Sequence, residues 1–224
     1  MSSSVAVAKP STRLVSGKQI MSLLGIVPLG AYVVAHLWTN LYSLGGDKVF
    51  DEHLKTTNSS PAFIFLEVFG LGLPILVHAW MGLKIIARGR PNIGSYRFFS
   101  NLRFGLQRLS GLGVLLFLGA HVVKARILPA FGYGEHLVGG HESYAGMQAA
   151  FAEPATLTVY ALGILGVAYH LGNGVWGAGM TLGLTTTPKA QARMEKVSMV
   201  FFLVLLAMGY LAIWGFHPFA QAAG

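Results

Sequence analysis

Four histidines, His36, His78, His121 and His170, each lie inside a long apolar run, and they follow one another at intervals of 42, 43 and 49 residues. Each interval is about the length of one membrane span plus one connection. An ionisable ring inside a membrane helix is costly to hold there and marks a functional-site candidate facing the bundle interior. Two neutral imidazoles from facing helices make a natural axial pair for a haem iron, with the macrocycle standing edge-on between the helices. The chain has no cysteine, which excludes disulfides, cysteine-ligated iron–sulfur clusters and covalent haem attachment. Any haem must therefore be held non-covalently, with histidine nitrogen as its ligand.

The elements that must position these rings are membrane helices. Of 224 residues, 54% are hydrophobic and 11% charged, with a mean hydropathy of +0.59, far above that of a soluble domain. Five spans can be drawn, at about 20–44, 62–87, 109–128, 155–180 and 197–214, which predicts an all-α integral membrane bundle of five transmembrane helices. Residues 1–19 form a short N-terminal segment without the pattern of a signal peptide. Residues 20–216 form the transmembrane domain and 217–224 a short tail. The connection between Pro129 and Pro154 has room for a short surface helix but no independent core. The second connection carries Arg88, Arg90, Arg97, Arg103 and Arg108 with no acid, and the fourth carries Lys189, Arg193 and Lys196. By the positive-inside rule both face the cytoplasm, placing the N-terminus inside and the C-terminus outside. The net charge of +8 is thus spent at span ends, and nucleic-acid binding is not expected.

Each histidine falls two to four residues past the midpoint of its span. Alternating helix direction then sets His36 and His121 towards the outer surface and His78 and His170 towards the cytoplasm, about 10 Å apart in depth. Two separated pairs cannot close one zinc coordination sphere, so zinc is the weaker alternative. A flat macrocycle needs small neighbours. Gly82 and Gly174 lie one turn beyond His78 and His170 on the ligand face, and Gly119, Gly163, Gly166 and Gly172 add low-bulk surface, although glycines also serve ordinary helix packing. His53, His136, His141 and His217 read as solvated or interfacial, any of them a lesser candidate for a quinone pocket.

The segments SGKQIMSLLG leading into AHLWTNL, then VHAWMGLKI, GAHVV and AYHLGNG, resemble the cytochrome b membrane anchor of succinate:quinone oxidoreductases (succinate dehydrogenase or fumarate reductase), in the single-subunit, five-helix, two-haem group. The resemblance runs from about Ser16 through the fifth span. It implies two b haems, one ligated by His78 and His170 near the cytoplasm and one by His36 and His121 near the outer side. It implies a flavoprotein and an iron–sulfur subunit on the cytoplasmic face, membrane quinone as substrate, and residence in a bacterial cytoplasmic membrane. The chain would not act on succinate itself but relay electrons between those subunits and quinone.

Under that reading Lys18, Ser22, Arg88 and Arg108 are candidates to meet propionates of the cytoplasmic haem, although plain topology also explains the cations. Lys124 could serve the outer haem or snorkel to the interface. Glu67, the only carboxylate within a span, is the candidate for proton transfer to quinone, with Trp38, Asn40 and Tyr42 as pocket walls, against a hydrated interfacial position. Trp214 and Phe216 read as interfacial belt residues. Competing readings are the cytochrome b subunit of a quinone-linked hydrogenase or formate dehydrogenase, a membrane transporter using the histidines as a proton relay, and a scaffold whose histidines only cross-link helices.

Overall fold

Proline placement shapes the spans. Pro28 sits inside a π-helical stretch, Gly25–Gly30, and Pro74 and Pro129 each follow a π-helical stretch by two residues, Leu66–Gly72 and Val123–Ile127. A proline lacks the N–H for its helical bond, and its ring crowds the carbonyl four residues back. Widening the helix there relieves the clash without breaking the span.

A computed structural model describes residues 16–58, 65–89, 99–133, 137–138 and 141–217. His136, nearly all of the N-terminal segment, all but one residue of the tail and Arg90 and Arg97 lie outside these, as does the expected start of the second span. Five helices are long and apolar enough to cross a membrane: Gly17–Thr57, Leu66–Arg88, Asn101–Ala130, Pro154–Thr181 and Pro188–Gly215. The all-α class is therefore as expected, interrupted among the described residues only by a two-residue antiparallel ladder pairing Leu137–Val138 with His141–Glu142. We call these helices the first to fifth spans.

The first continues past the expected boundary. A 3₁₀ turn, Leu41–Gly45, leads to Gly46 at φ 81°, a left-handed angle that glycine adopts without strain, and the chain turns there into a polar helix, Gly46–Asn58. This surface helix, on which His53 sits, was not foreseen. The expected short helix between Pro129 and Pro154 is present as Tyr144–Ala152, capped by the Ser143 hydroxyl, which accepts from the Gly146 N–H.

The first four spans close a ring, each packing on its sequence neighbours and the fourth returning to the first, while the fifth lies outside against the first and fourth. Gly172 and Gly209 let the fourth and fifth spans approach: a Cβ at Gly172 would lie 2.8 Å from Cβ of Phe202, and one at Gly209 would lie 2.5 Å from Ile164. Gly172 thus serves helix packing. The buried residues Ala168, Leu171 and Leu205 sit at the same junction. Lipid-facing side chains such as Leu76, Trp80, Leu116 and Leu162 are 60–69% exposed, as a bilayer-spanning bundle requires.

One end of the bundle carries Arg88, Arg103 and Arg108, and is called the basic end below. The other is roofed by an aromatic cluster of Phe50, Tyr144, Phe151 and Phe216. Phe216 is 2% exposed and belongs to this cap, so its reading as a belt residue is corrected; Trp214, 52% exposed, keeps the position of one. Inside the cap the Tyr144 hydroxyl donates to the Gly215 carbonyl at 2.6 Å, and the Tyr144 N–H donates to Asp51 Oδ1 at 2.8 Å. Ser43 Oγ donates to the Ala212 carbonyl at 2.9 Å. The change Tyr144→Phe leaves a buried carbonyl without its donor, so it is expected to lower stability by about 1–2 kcal/mol. A melting temperature in detergent equal to wild type would contradict that assignment.

Candidate cofactor site between the four ring helices

The four histidines meet across the diagonals of the ring. His78 of the second span faces His170 of the fourth, with ring centroids 6.2 Å apart and planes at 90°. His36 of the first faces His121 of the third at 5.8 Å and 74°. Among the described residues no group of three or more metal-ligating side chains gathers, so ligation is offered two by two. Two metal–nitrogen bonds of about 2 Å plus the two ring radii place bis-imidazole centroids about 6.3 Å apart, close to both pairs.

Hydrogen bonding fixes the ring tautomers. His78 Nδ1 lies 3.1 Å from the Met21 carbonyl and His170 Nδ1 lies 3.2 Å from the Gln107 carbonyl. A carbonyl only accepts, so both Nδ1 atoms carry the proton and both Nε2 atoms keep a lone pair free for a metal. Such an outer partner is the usual companion of a metal-ligating histidine. At the capped end His121 Nδ1 is 3.1 Å from the Tyr160 hydroxyl, and Phe117 stacks on the ring. His36 is stacked on by Tyr32 at 5.5 Å. Asn40 Nδ2 donates to the His36 carbonyl at 2.7 Å and approaches Nε2 only at 3.4 Å.

A polar chain supports His170. Gln107 Nε2 donates to the His170 carbonyl at 3.1 Å, Asn173 Nδ2 donates to Gln107 Oε1 at 2.8 Å, and Arg103 donates to Asn173 Oδ1 at 3.0 Å and to Glu195 at 2.8 Å. It ties the third, fourth and fifth spans together at the basic end. Sequence reading did not find it, because its members are scattered in the chain and converge only after packing.

The other candidates divide. Arg108 lies over the Phe104 ring at 4.0 Å and sends Nη2 to the Ile85 carbonyl at 3.4 Å, while its Nε is buried without a hydrogen-bond partner among the described residues. Lys18 and Arg88 are exposed at the same end, and Ser22 is half-buried beside Met21. A Cβ on Gly82 would meet Met21, one on Gly174 would meet Gln107, and one on Gly163 would press on Phe117. The glycines against the imidazoles of His78 and His170 are instead Gly25 and Gly111, which the sequence reading passed over. Gly25 touches His78 and precedes His36 by eleven residues; Gly111 touches His170 and precedes His121 by ten. Three helical turns thus separate the two levels, about 15 Å rather than the expected 10 Å.

At the capped end Glu67 accepts from Arg126 in a bidentate pair, at 2.8 to 3.1 Å, with side chains 18% and 30% exposed. Each partner stands on a π-helical turn, one on the second span and one on the third. Tyr32 lies within the field of both charges. Trp38 is 61% exposed and Tyr42 stacks on His53 at 3.8 Å. A cavity of about 210 Å³ between the third and fourth spans is lined by Phe117, His121, Lys124, Thr156 and Tyr160. His217 stacks on Trp214.

A five-span membrane protein whose interior imidazoles meet in two diagonal pairs, with the Nε2 lone pairs of one pair held free, has the form of a membrane cytochrome b. No protein-family model matches the chain. It is 31% identical over 199 residues, 89% of this chain and 95% of its relative, to the succinate dehydrogenase cytochrome b558 subunit of Bacillus subtilis (strain 168). The chain belongs to the family of succinate dehydrogenase cytochrome b subunits, as a multi-pass membrane anchor.

Proposed function

We propose that the chain anchors a flavoprotein and an iron–sulfur subunit to a bacterial cytoplasmic membrane and joins them electronically to membrane quinone, holding one b haem between His78 and His170 and a second between His36 and His121. The observation that carries this reading is the pair of cross-bundle imidazole contacts at 6.2 and 5.8 Å. Haem bound at each level supplies one-electron transfer, and two levels about 15 Å apart along the bundle make a relay across it.

The chain's own residues do the rest. The positive-inside rule sets the basic end, with Arg88, Arg103 and Arg108, towards the cytoplasm and the soluble partners. Arg108, with its buried Nε unpartnered, is the cation best placed for a propionate of the cytoplasmic-side haem, with Lys18, Ser22 and Arg88 around it. At the capped end Glu67 is the group that hands a proton to, or takes one from, the quinone, and Arg126 holds its carboxylate oriented. Zinc is not favoured, since among the described residues the imidazoles come only in twos.

A reduced minus oxidised difference spectrum with a pyridine haemochrome count on the purified complex tests the reading. Two b haems per chain are expected; none, in cells with ample haem supply and both partners present, would return the histidines to a proton-relay or packing role. Arg108→Ala is expected to lower the midpoint potential of the cytoplasmic-side haem by on the order of 50 mV, the one-electron equivalent of about 1 kcal/mol, because a nearby cation favours the reduced form. A redox titration in which neither haem moves would remove Arg108 from the site.

A further inference from the structure

Gly25 on the first span and Gly111 on the third stand in the same relation to the two histidines of the basic-end pair. A Cβ on Gly25 would lie 2.8 Å from Cε1 and 3.3 Å from Nδ1 of His78; a Cβ on Gly111 would lie 2.9 Å and 3.3 Å from the same atoms of His170. In both cases Nε2 is the more distant atom, at 3.8 Å. In both cases, too, the carbonyl that Nδ1 meets is the one four residues before the glycine, Met21 at 3.1 Å and Gln107 at 3.2 Å. Four residues is one helical turn, so glycine and carbonyl are stacked on one face of the helix. Ordinary close packing would set a glycine against some part of a neighbouring helix; it gives no reason for the same three ring atoms and the same carbonyl offset to recur.

We infer that Gly25 and Gly111 are positioning residues, each using its missing side chain to let an imidazole of the neighbouring span lie against the helix, with Nδ1–H on the carbonyl one turn back and Nε2 left free to ligate. The inference rests on the two-haem reading. An added Cβ would come within 3 Å of a rigid ring rather than of a flexible chain end, so the ring must shift and Nδ1–H is drawn off its carbonyl, leaving His170 only the Ser110 hydroxyl that lies 3.3 Å from Nδ1. A ligand without that acceptor is less electron-donating, which weakens metal binding and makes the reduced iron easier to form. The effect is confined to one level, because at the capped end His121 bonds the Tyr160 hydroxyl instead.

The test uses the full chain in complex with its partner subunits. Gly25→Ala and Gly111→Ala are compared with Gly113→Ala, where a Cβ meets nothing within 4 Å. Each of the first two is expected to weaken haem retention at the basic end roughly tenfold and to raise the midpoint potential of that haem, with the capped-end haem unchanged. Gly113→Ala should match wild type at both levels. Wild-type potential and retention in both Gly25→Ala and Gly111→Ala would overturn the inference. If either fails to accumulate, wild-type protein labelled with 15N-histidine decides: slow water exchange of the two Nδ1 protons in the reduced low-spin state supports it, and fast exchange overturns it. Wild type devoid of haem would overturn this inference together with the reading beneath it, whereas haem-replete wild type with unaltered variants overturns this inference alone.

Discussion

His170→Ala is expected to leave one b haem per chain where wild type holds two, and His121→Ala to leave the other one. The expectation follows from the ring geometry. His170 pairs with His78 alone and His121 with His36 alone, on different diagonals and about three helical turns apart. Loss of one imidazole removes half of one histidine pair and leaves the other pair and its supports, Tyr160 and Phe117 at one level or Met21 and Gln107 at the other, untouched. Changes at sites so separated act independently as a rule. The fold should tolerate either change. Both rings are only partly buried, and the packed junction of Ala168, Leu171 and Leu205 lies on the fifth-span side of the bundle. The measurement is a haemochrome count with the difference spectrum of each variant, in membranes where the chain is shown to be present. Loss of both haems from each variant, or of neither, would refute two separately ligated levels.

Glu67→Gln is expected to slow quinone-linked turnover by about 100-fold or more, the usual contribution of a positioned proton-transfer group. Haem content and succinate oxidation with a soluble artificial acceptor should stay at wild-type values. Glutamine keeps the shape and can still accept from Arg126, but it cannot exchange a proton. The partner change differs in kind. Arg126→Leu strands a mostly buried carboxylate and is expected to destabilise the protein by about 2 kcal/mol, less than a fully buried pair would cost because Arg126 keeps 30% exposure. Combining Glu67→Gln with Arg126→Leu should restore stability without restoring turnover. Full quinone turnover in Glu67→Gln would exclude Glu67 from the proton path, whatever the stability results.

The contrast between Glu67 and the histidines shows how far a sequence can be read. A span reveals an isolated polar residue by its cost in an apolar run, and on that ground Glu67 and all four histidines stood out. It does not reveal the partner. Arg126 sits only two residues beyond Lys124 and nothing in the sequence joins it to Glu67, yet it crosses to the second span and clasps Glu67 in a bidentate bond. Phe216 misled in the same way, being buried in a cap built with a helix more than sixty residues earlier.

Composition and periodicity by themselves determined five membrane helices, the positions of four interior imidazoles and their division into two alternating sets, because helical rise and bilayer thickness are fixed lengths that a sequence of apolar runs must obey. The tertiary structure alone decided which diagonals of the bundle the pairs span, that two Nδ1–H groups are held by carbonyls, that Gly25 and Gly111 rather than Gly82 and Gly174 press on the rings, and that the Arg103, Asn173, Gln107 and Glu195 side chains converge. Those facts depend on how each helix is rotated and tilted against its neighbours. In a membrane that rotation is set by close packing and by polar bonds between residues far apart in the chain, and no local pattern encodes it.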